Sequence, residues 1–340
     1  MSNFSKNKFE PTISVIVPIY NVEKYIERCL KSLFTQTIAN KCEFIFVNDC
    51  TPDSSMQIVE KVILQFVNLR NQVCIINHAE NKGLPGARKS GILVAKGKYI
   101  IHIDSDDWCE PNMLEMLHTQ AELTESDIVN CDLFFEYKKR TVLKRENPGE
   151  RGKETVRKLL NGTYDGFLHI KLVKRELYFR YLILPVEGIN MWEDVLLSVK
   201  LYFYAQKIFY ISMPLYHYEK SNANSICAVF SDKSKKDLCE VIDNIQGFLA
   251  EVGVLPSFND EFLQLKARIM SIILMSDNNL FSSKVKIMYP EIVSIILHAK
   301  SIPIYNRMCL FFLYKKYFFL ANIVKIFVIS GRILRSKLRG

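Results

Sequence analysis

The run Ile100-Ile101-His102-Ile103-Asp104-Ser105-Asp106-Asp107 sets three carboxylates into four residues at the end of an apolar stretch. Short apolar runs of this kind read as buried strands, and open α/β sheets bind ligands outside the carboxyl ends of their strands. Asp104 and Asp106 are therefore expected to face a crevice. Acids crowded there repel one another unless a cation lies between them. A hard divalent ion suits the position, and Mg²⁺ in particular is held by one or two carboxylates together with substrate phosphates. A solvated acidic turn accounts for the same four residues, since Asp-x-Asp alone is a weak motif.

A second pair of acids, Glu193-Asp194, follows Trp192 and opens the helical pattern Val195-Leu196-Leu197. Negative charge in a first helical turn meets the positive end of the helix dipole, which is an ordinary reason to find acids there. A carboxylate beside a hydroxyl is also the usual general base.

The elements that must carry these acids alternate. Ile13–Ile19 is a β-branched strand with a proline near its end, followed by a helical face of Tyr25, Ile26, Cys29, Leu30 and Leu33. Phe44–Val47 is a strand that ends in Asn48-Asp49, and after the turn residues 51–55 comes a helix carrying Ile58, Val59, Val62 and Ile63. Val73–Ile76 reads as a third strand, and Asn81–Arg88 leads into a helix before the 98–103 strand. Such βα alternation predicts a mostly parallel sheet flanked by helices.

Taken in order, Val17-Pro18-Ile19-Tyr20-Asn21, Val47-Asn48-Asp49, Asn81-x-Gly83-x-x-x-Ala87-Arg88, Asp104-x-Asp106-Asp107 and Trp192-Glu193-Asp194 make residues 11 to about 226 resemble a family 2 glycosyltransferase. The resemblance implies an inverting enzyme of the nucleotide-diphospho-sugar transferase fold called GT-A. It implies that Pro18, Tyr20 and Asp49 hold the nucleobase and ribose of a nucleotide-sugar donor and that Arg88 supports the nucleotide. Asn21, Asn81, Gly83, Asp104 and Ser105 complete the donor set. Asp106 and Asp104 would hold Mn²⁺ or Mg²⁺. Asp194 would be the general base, with Glu193 orienting the acceptor or standing as a second candidate.

Ordinary chemistry agrees with these roles and also supplies blander ones. Tyr20 offers a base an aromatic face or simply packs at a strand end. Asp49 suits a uracil N–H or a ribose hydroxyl, or caps a turn. Arg88 could be a solvated helix residue. His217, between two tyrosines, reads as a packing histidine rather than a ligand. The chain departs from the family pattern where Cys50 replaces a glycine, so the turn there differs or carries a side chain at strained dihedrals. Lys89 stands where asparagine is common. Glu219-Lys220 replaces an expected arginine, which weakens any phosphate contact from that segment.

The 340 residues, 49% of them hydrophobic, suffice for one large core and a smaller one. Nine cysteines without a C-x-x-C pair suggest reduced thiols, and residues 1–8 lack the apolar core of a signal peptide, so a cytoplasmic location is expected. Three regions follow: a catalytic domain over residues 1–226, an α-helical C-terminal region over 227–300, and a basic, apolar helical tail over 301–340. No acid follows Glu291, and nine lysines and arginines do; removing them from the 45 basic residues leaves as many as the 36 acids. The segment from Lys300 onward therefore carries the whole net charge of +9. Its apolar runs are too short to span a membrane, and Arg307, Lys325, Arg332 and Arg339 share one helical stripe. Basic residues among aromatics and leucines suit a helix lying on an anionic membrane surface, here the inner face of the cell membrane, and a helical cap docked on the catalytic domain is the other account. Interleaving of charge with apolar residues argues against nucleic acid as a partner.

The expected activity is metal-dependent transfer of a sugar, from a UDP-sugar by preference, to a glycan or lipid-linked glycan acceptor of surface polysaccharide. A nucleotidyltransferase would bring a glycine- and lysine/arginine-rich loop after its first strand, where this chain has Pro18-Ile19-Tyr20-Asn21-Val22. A catalytically silent nucleotide-sugar-binding or scaffold subunit would not need Glu193-Asp194. A homo-oligomer stays open.

Overall fold

The computed structural model describes residues 9–222, 230–276, 279–281 and 287–337. Two compact units emerge, one of residues 1–156 and 165–229, the other of residues 157–164 and 230–340. In chain order the first holds β1 (Ile13–Ile19), α1 (Ile26–Phe34), β2 (Cys42–Asn48), α2 (Ser55–Gln65), β3 (Val73–Asn77), α3 (Gly83–Val94), β4 (Tyr99–His102), β5 (Trp108–Cys109), α4 (Met113–Thr124), β6 (Ile128–Tyr137), β7 (Arg140–Lys144), the start of α5 (Gly152–Asn161), β8 (Lys171–Lys174), α6 (Arg175–Arg180), α7 (Glu193–Tyr204) and β9 (Ile208–Glu219).

These nine strands form one sheet in the order β3-β2-β1-β4-β8-β6-β9-β5, with β7 paired to β6. The β3-β2-β1-β4 portion is parallel, as the βα alternation predicts. Beyond β4 the sheet is mixed: β8 runs antiparallel to β4 and β6, β9 parallel to β6, and β5 antiparallel to β9. The chain steps from β1 outward to β2 and β3, then returns to place β4 on the other side of β1. That reversal opens a crevice at the carboxyl ends of β1 and β4, where Tyr20-Asn21 and Asp104 follow the strands. The charged segment after Glu136 takes an extended form, a hairpin of β6 and β7 with Tyr137 opposite Arg140.

Every β1 residue is buried. Ile13, Val15, Val17 and Ile19 share a core with Ile26, Cys29, Leu30 and Leu33 of α1, Val59 and Val62 of α2, and Leu114 and Leu117 of α4. Ile16 points to the opposite face and meets α3 at Gly91. The polar exception is Ser14, which donates to Glu43 Oε1 at 2.6 Å; the same carboxylate accepts from the amides of Lys96 and Gly97 at 2.6 and 3.1 Å. A side chain at position 97 would reach within 2.6 Å of the Ser14 nitrogen, so glycine lets the approach to β4 close against β1. β3 is an edge strand, which leaves Cys74 exposed although its apolar run reads as buried. The eight described cysteines are free thiols.

The second unit holds α8 (Asp232–Glu251), α9 (Asn259–Ser276), α10 (Ile304–Tyr314) and α11 (Phe318–Lys337). Ser231 begins α8 with a reciprocal capping box to Ser234. Met270 and Leu274 of α9, Ile292, Ile296, Cys309, Leu310 and Leu313, and Ala321 of α11 form its core. The basic stripe expected on the tail is corrected at Lys325, which is buried: its Nζ donates to the Leu274 carbonyl at 3.0 Å and lies 3.8 Å from the centre of the Phe281 ring. The carbonyl and ring face satisfy a charge that lipid was expected to take. Arg332 and Arg339 lie outside the residues whose side chains are described. Among the described residues no helix is long and apolar enough to cross a membrane.

Gly91→Ala sets two effects against each other. Alanine gains about 1 kcal/mol of helix propensity over glycine, but its Cβ would come within 2.4 Å of Ile16 Cγ2 in a packed layer, and overpacking costs about 1–3 kcal/mol. The clash should win, so thermal unfolding of the variant is expected at lower temperature; an unchanged or raised Tm would show that the α3–β1 contact has slack.

Candidate active site

Two loops close over the carboxyl ends of β1 and β2. Asp53 ties them: its Oδ1 accepts from the Thr51 hydroxyl at 2.7 Å and from the Ser55 hydroxyl and amide at 2.6 and 3.1 Å, and its Oδ2 accepts from the Glu23 amide at 2.9 Å. Burial pushes this carboxyl up, and the hydrogen bonds outweigh burial and hold it below its ordinary value. The Asn21 amide donates to Thr51 Oγ1 at 2.8 Å, with Asn21 in the left-handed region at φ 55°. Cys50 also sits there, at φ 58°, so the turn keeps the backbone a glycine would favour and carries a side chain. Pro18 is buried at the end of β1, and Tyr20 is 48% exposed, so its ring is presented outward rather than packed in the core.

Asp49 is buried and does not cap its own turn; Asn48 does, accepting the Thr51 amide at 3.0 Å. Asp49 Oδ1 instead takes His78 Nδ1 at 2.7 Å and the Lys82 amide at 2.8 Å, and His78 Nε2 meets Ser90 Oγ at 2.8 Å. Asn81 donates to the Asp49 carbonyl at 3.1 Å and accepts the Gly83 amide at 3.1 Å, so these two motif residues shape the entry to α3. Gly83 has φ +74°, and a Cβ there would strike Asn190 Oδ1 at 2.4 Å. Sequence reasoning did not single out His78; its one signal was a histidine directly after a strand end.

Arg88 is buried within α3 rather than solvated. Its Nη2 donates to Asp104 Oδ1 at 2.6 Å and its Nη1 to Glu193 Oε1. Asp104 Oδ2 lies 3.2 Å from Nδ1 of His169, whose ring stacks on Tyr216 with centres 4.3 Å apart. One guanidinium thus serves two acids. Burial disfavours the Asp104 charge, but Arg88 and His169 overcome it and hold Asp104 well below the usual carboxylate range. Glu193 fares differently: burial, reinforced by Asp194 and Asp104, pushes it up to about 8 against the pull of Arg88. Asp194, partly exposed beside it, is raised by burial, with Arg88, Lys171 and His169 opposing. Trp192 precedes α7 at φ 63° and leaves Glu193 and Asp194 as its first two residues.

The remaining acids of the β4 loop divide in function. Asp107 is fully buried and occupied, accepting the Tyr216 hydroxyl at 2.6 Å and the Glu219 amide at 2.7 Å, which pins the loop to β9. Asp106 accepts from Asn222 Nδ2 at 2.8 Å, and Arg28 donates to its carbonyl at 2.9 Å. Burial pushes Asp106 up to about 6, with Asp104 and Glu219 adding repulsion and Asn222 opposing. Ser105 between them is buried. Among the described residues, the group whose potential ligand atoms fall within 4.8 Å of one another is Asp104, Asp107 and His169. It does not include Asp106, and Asp107 already has both oxygens engaged. Asp104 and Asp106 offer carboxylate oxygens of the kind a hard divalent cation takes, with one imidazole nitrogen beside Asp104. His217 is not arranged as a ligand: its Nδ1 and Nε2 each lie 2.8 Å from a carboxylate, Glu136 and Glu110, and its ring stacks on Trp108 at 4.8 Å. Arg28 caps that stack, 3.6 Å above the Trp108 ring.

Replacing Arg88 by Met would leave Asp104 without its counter-charge and Glu193 without its hydrogen-bond donor, at a cost of about 3–5 kcal/mol. Tm should fall by roughly 10 °C. Because Asp104 is lowered in the folded state, its contribution is present above the unfolded value near 3.9 and disappears as pH falls below it. The gap between wild type and R88M in a pH series of melts should accordingly narrow in acid; a gap independent of pH would mean that the guanidinium acts by packing alone.

Comparison with known proteins identifies the family. Residues 14–182 match the family described as glycosyl transferase family 2. EpsH of Bacillus subtilis (strain 168), named as a glycosyltransferase, is 33% identical over 257 residues, 74% of this chain and 73% of its own length. The cholesterol galactosyltransferase of Borreliella burgdorferi is 28% identical over 257 residues, covering 70% of this chain and 69% of its own. Among solved structures, residues 1–349 of S. aureus TarS in complex with UDP-GlcNAc superpose with a TM-score of 0.66 at 22% identity, over 94% of this chain and 92% of that one, a likeness of fold. With the match to the family and a relative 33% identical that is covered over more than two thirds of its length, the chain belongs to glycosyl transferase family 2 and is a glycosyltransferase.

Proposed function

We propose that this enzyme moves a sugar, with inversion and with the aid of a divalent metal, from a UDP-sugar to a hydroxyl of a glycan or lipid-linked glycan in surface polysaccharide biosynthesis. The observation that carries the reading is the Arg88 fork, which joins Asp104 of the donor-side loop to Glu193 beside Asp194. Donor and acceptor chemistry then share one electrostatic frame. Asp194 is the base: partly exposed and raised above an ordinary aspartate, it suits proton abstraction. Glu193, buried against Arg88, holds the frame. As the acceptor oxygen bonds to the anomeric carbon, its proton passes to Asp194, and the bond to the diphosphate breaks on the opposite face with its electron pair leaving on the phosphate oxygen. Asp106 and Asp104 would hold Mn²⁺ or Mg²⁺, which when bound would neutralise the departing diphosphate. Tyr20, Asp49 and Pro18 line the nucleoside end, with Asn21, Asn81, Gly83 and Ser105 shaping the loops around it. UDP-GlcNAc in the TarS complex supports the donor class, and the name cholesterol galactosyltransferase supports a lipid on the acceptor side.

The test is nucleotide release from a panel of UDP-, GDP- and other nucleotide sugars with Mn²⁺ or Mg²⁺. A UDP-sugar should be turned over, and chelator should abolish turnover. Asp194→Asn should leave donor affinity nearly unchanged and lower the rate by roughly 10²- to 10⁴-fold. Collapse of donor affinity instead would assign Asp194 to the nucleotide site, and full activity in chelator would end the metal-dependent reading.

A peripheral seat on the inner membrane face is part of the same proposal. Phe311, Phe312 and Phe318 pack partly against the helical core, whereas Phe319 and Phe327 of α11 are 77% and 70% exposed, with Ile323 and Ile326 exposed between them and Lys315-Lys316 exposed nearby. An apolar helix face in an acid-free segment suits anionic lipid. Phe319→Ser with Phe327→Ser should release the full chain from phosphatidylglycerol vesicles without lowering Tm, and high salt alone should release it incompletely. Wild-type protein that ignores vesicles, or a double variant that binds as tightly, would refute lipid contact.

A further inference from the structure

The parallel strands β1, β2 and β3 run in register to their carboxyl ends, with Ile19 beside Asn48 and Asn48 beside Asn77. One residue further the ladder still holds: the Asp49 amide donates to the Ile19 carbonyl at 3.0 Å and the His78 amide to the Asn48 carbonyl at 2.9 Å. Tyr20, Asp49 and His78 therefore stand in a row across the ends of the three strands. The His78 and Asp49 side chains are 5% and 4% exposed. Asp49 Oδ1 receives two donors, His78 Nδ1 at 2.7 Å and the Lys82 amide at 2.8 Å. Among the described residues no donor reaches Oδ2. A carboxylate only accepts, so Nδ1 carries the imidazole proton, and the ring in its neutral form takes the Ser90 hydroxyl at Nε2, 2.8 Å away. Ser90 lies two residues after Arg88 in α3, so one helix braces both this histidine and Asp104.

We propose that His78 is a positioning residue for the donor nucleotide: with the Lys82 amide it fixes Asp49 through Oδ1, and it leaves Oδ2 as the oxygen that takes a hydrogen from the nucleoside, either an imide N–H of the base or a ribose hydroxyl. The inference rests on the reading of Asp49 as a nucleoside contact and adds the groups that aim it. An aspartate otherwise free to turn about its side-chain bonds loses that freedom when a ligand binds, and a side chain already held in one pose spares the loss. His78 suits the task because its own pose is held at three points, by its amide on Asn48, by Nδ1 on Asp49 and by Nε2 on Ser90. Both donors on Oδ1 come from the segment that leads into α3, so the carboxylate is aimed by the same stretch of chain that delivers Arg88 to Asp104.

UDP with Mg²⁺, titrated calorimetrically into the full chain, is the probe. Asp49→Asn should weaken binding, because an amide cannot accept at both positions. His78→Leu should weaken it roughly tenfold, and His78→Asn, whose side-chain N–H stands near the place of Nδ1–H, should restore most of the loss. In an Asp49→Asn background His78→Leu should cost little more, since the histidine acts through the carboxylate. N3-methyl-UDP and the 2′- and 3′-deoxy analogues separate the two hydrogen sources: one of them should bind wild type worse than UDP does, and Asp49→Asn as well as UDP does. UDP affinity unchanged in Asp49→Asn, or no analogue that behaves this way, refutes the nucleoside reading of Asp49 and the inference with it. Affinity lost in Asp49→Asn yet kept in His78→Leu overturns the inference alone. A His78→Leu loss that persists in full beside Asp49→Asn, or that His78→Asn does not relieve, also overturns it and makes the histidine merely structural. Should His78→Leu fail to fold, ring-¹⁵N histidine spectra of the wild-type chain provide the reading: a proton on Nδ1 of His78 is expected, and a proton on Nε2 alone overturns the inference.

Discussion

One guanidinium divided between two carboxylates is the constraint on which the candidate active site turns. Arg88 comes from the third helix of the sheet, Asp104 from the loop after β4, and Glu193 from the start of α7, separated by 16 and 105 residues. Three segments with no local reason to meet are held by charge in a medium of low dielectric, where such contacts are strong and where losing a partner is costly. The division is unequal. Asp104 keeps its charge and Glu193 is driven toward its protonated form, so two acids of the same motif set differ because of where one cation sits.

The parallel half of the sheet was legible because each strand ends in a turn signal and each following helix repeats an apolar face. Beyond Asp107 that legibility fades. β8 joins β4 and β6 through pairs such as Ile100 with Val173 and Ile128 with Val173, and no local pattern fixes partners so far apart in sequence. The residue types of the site could be read from the motifs, but not their pairing. His78, His169 and Lys171 each lie in or beside apolar runs, where a single polar residue looks like packing. Only tertiary contact shows His78 bracing Asp49 or His169 beside Asp104.

The tail shows the limit of reading charge without direction. Composition located all the net charge in residues 300–339, yet helical spacing says which residues share a stripe and not which way the stripe faces. Lys325 faces inward, and Phe319 and Phe327 outward. The long apolar stem of a lysine lets it enter a core when a carbonyl and a ring receive its head.

Helix α7 begins at a tryptophan in the left-handed region, a conformation that the helix cannot continue backward through. Its register is therefore set from its own first residue, and Glu193 and Asp194 keep their places relative to Ser198 and Tyr202 however the preceding chain arrives. Residues 181–192 connect α6 to α7; Ile183, Ile189 and Met191 anchor them in the interior, and at Gly188 an added Cβ would meet nothing within 4 Å. Insertions and deletions concentrate in such connections. The fold thus keeps the one open stretch, at Gly188, apart from the acids that follow it, so a change confined to that stretch leaves Glu193 and Asp194 in place.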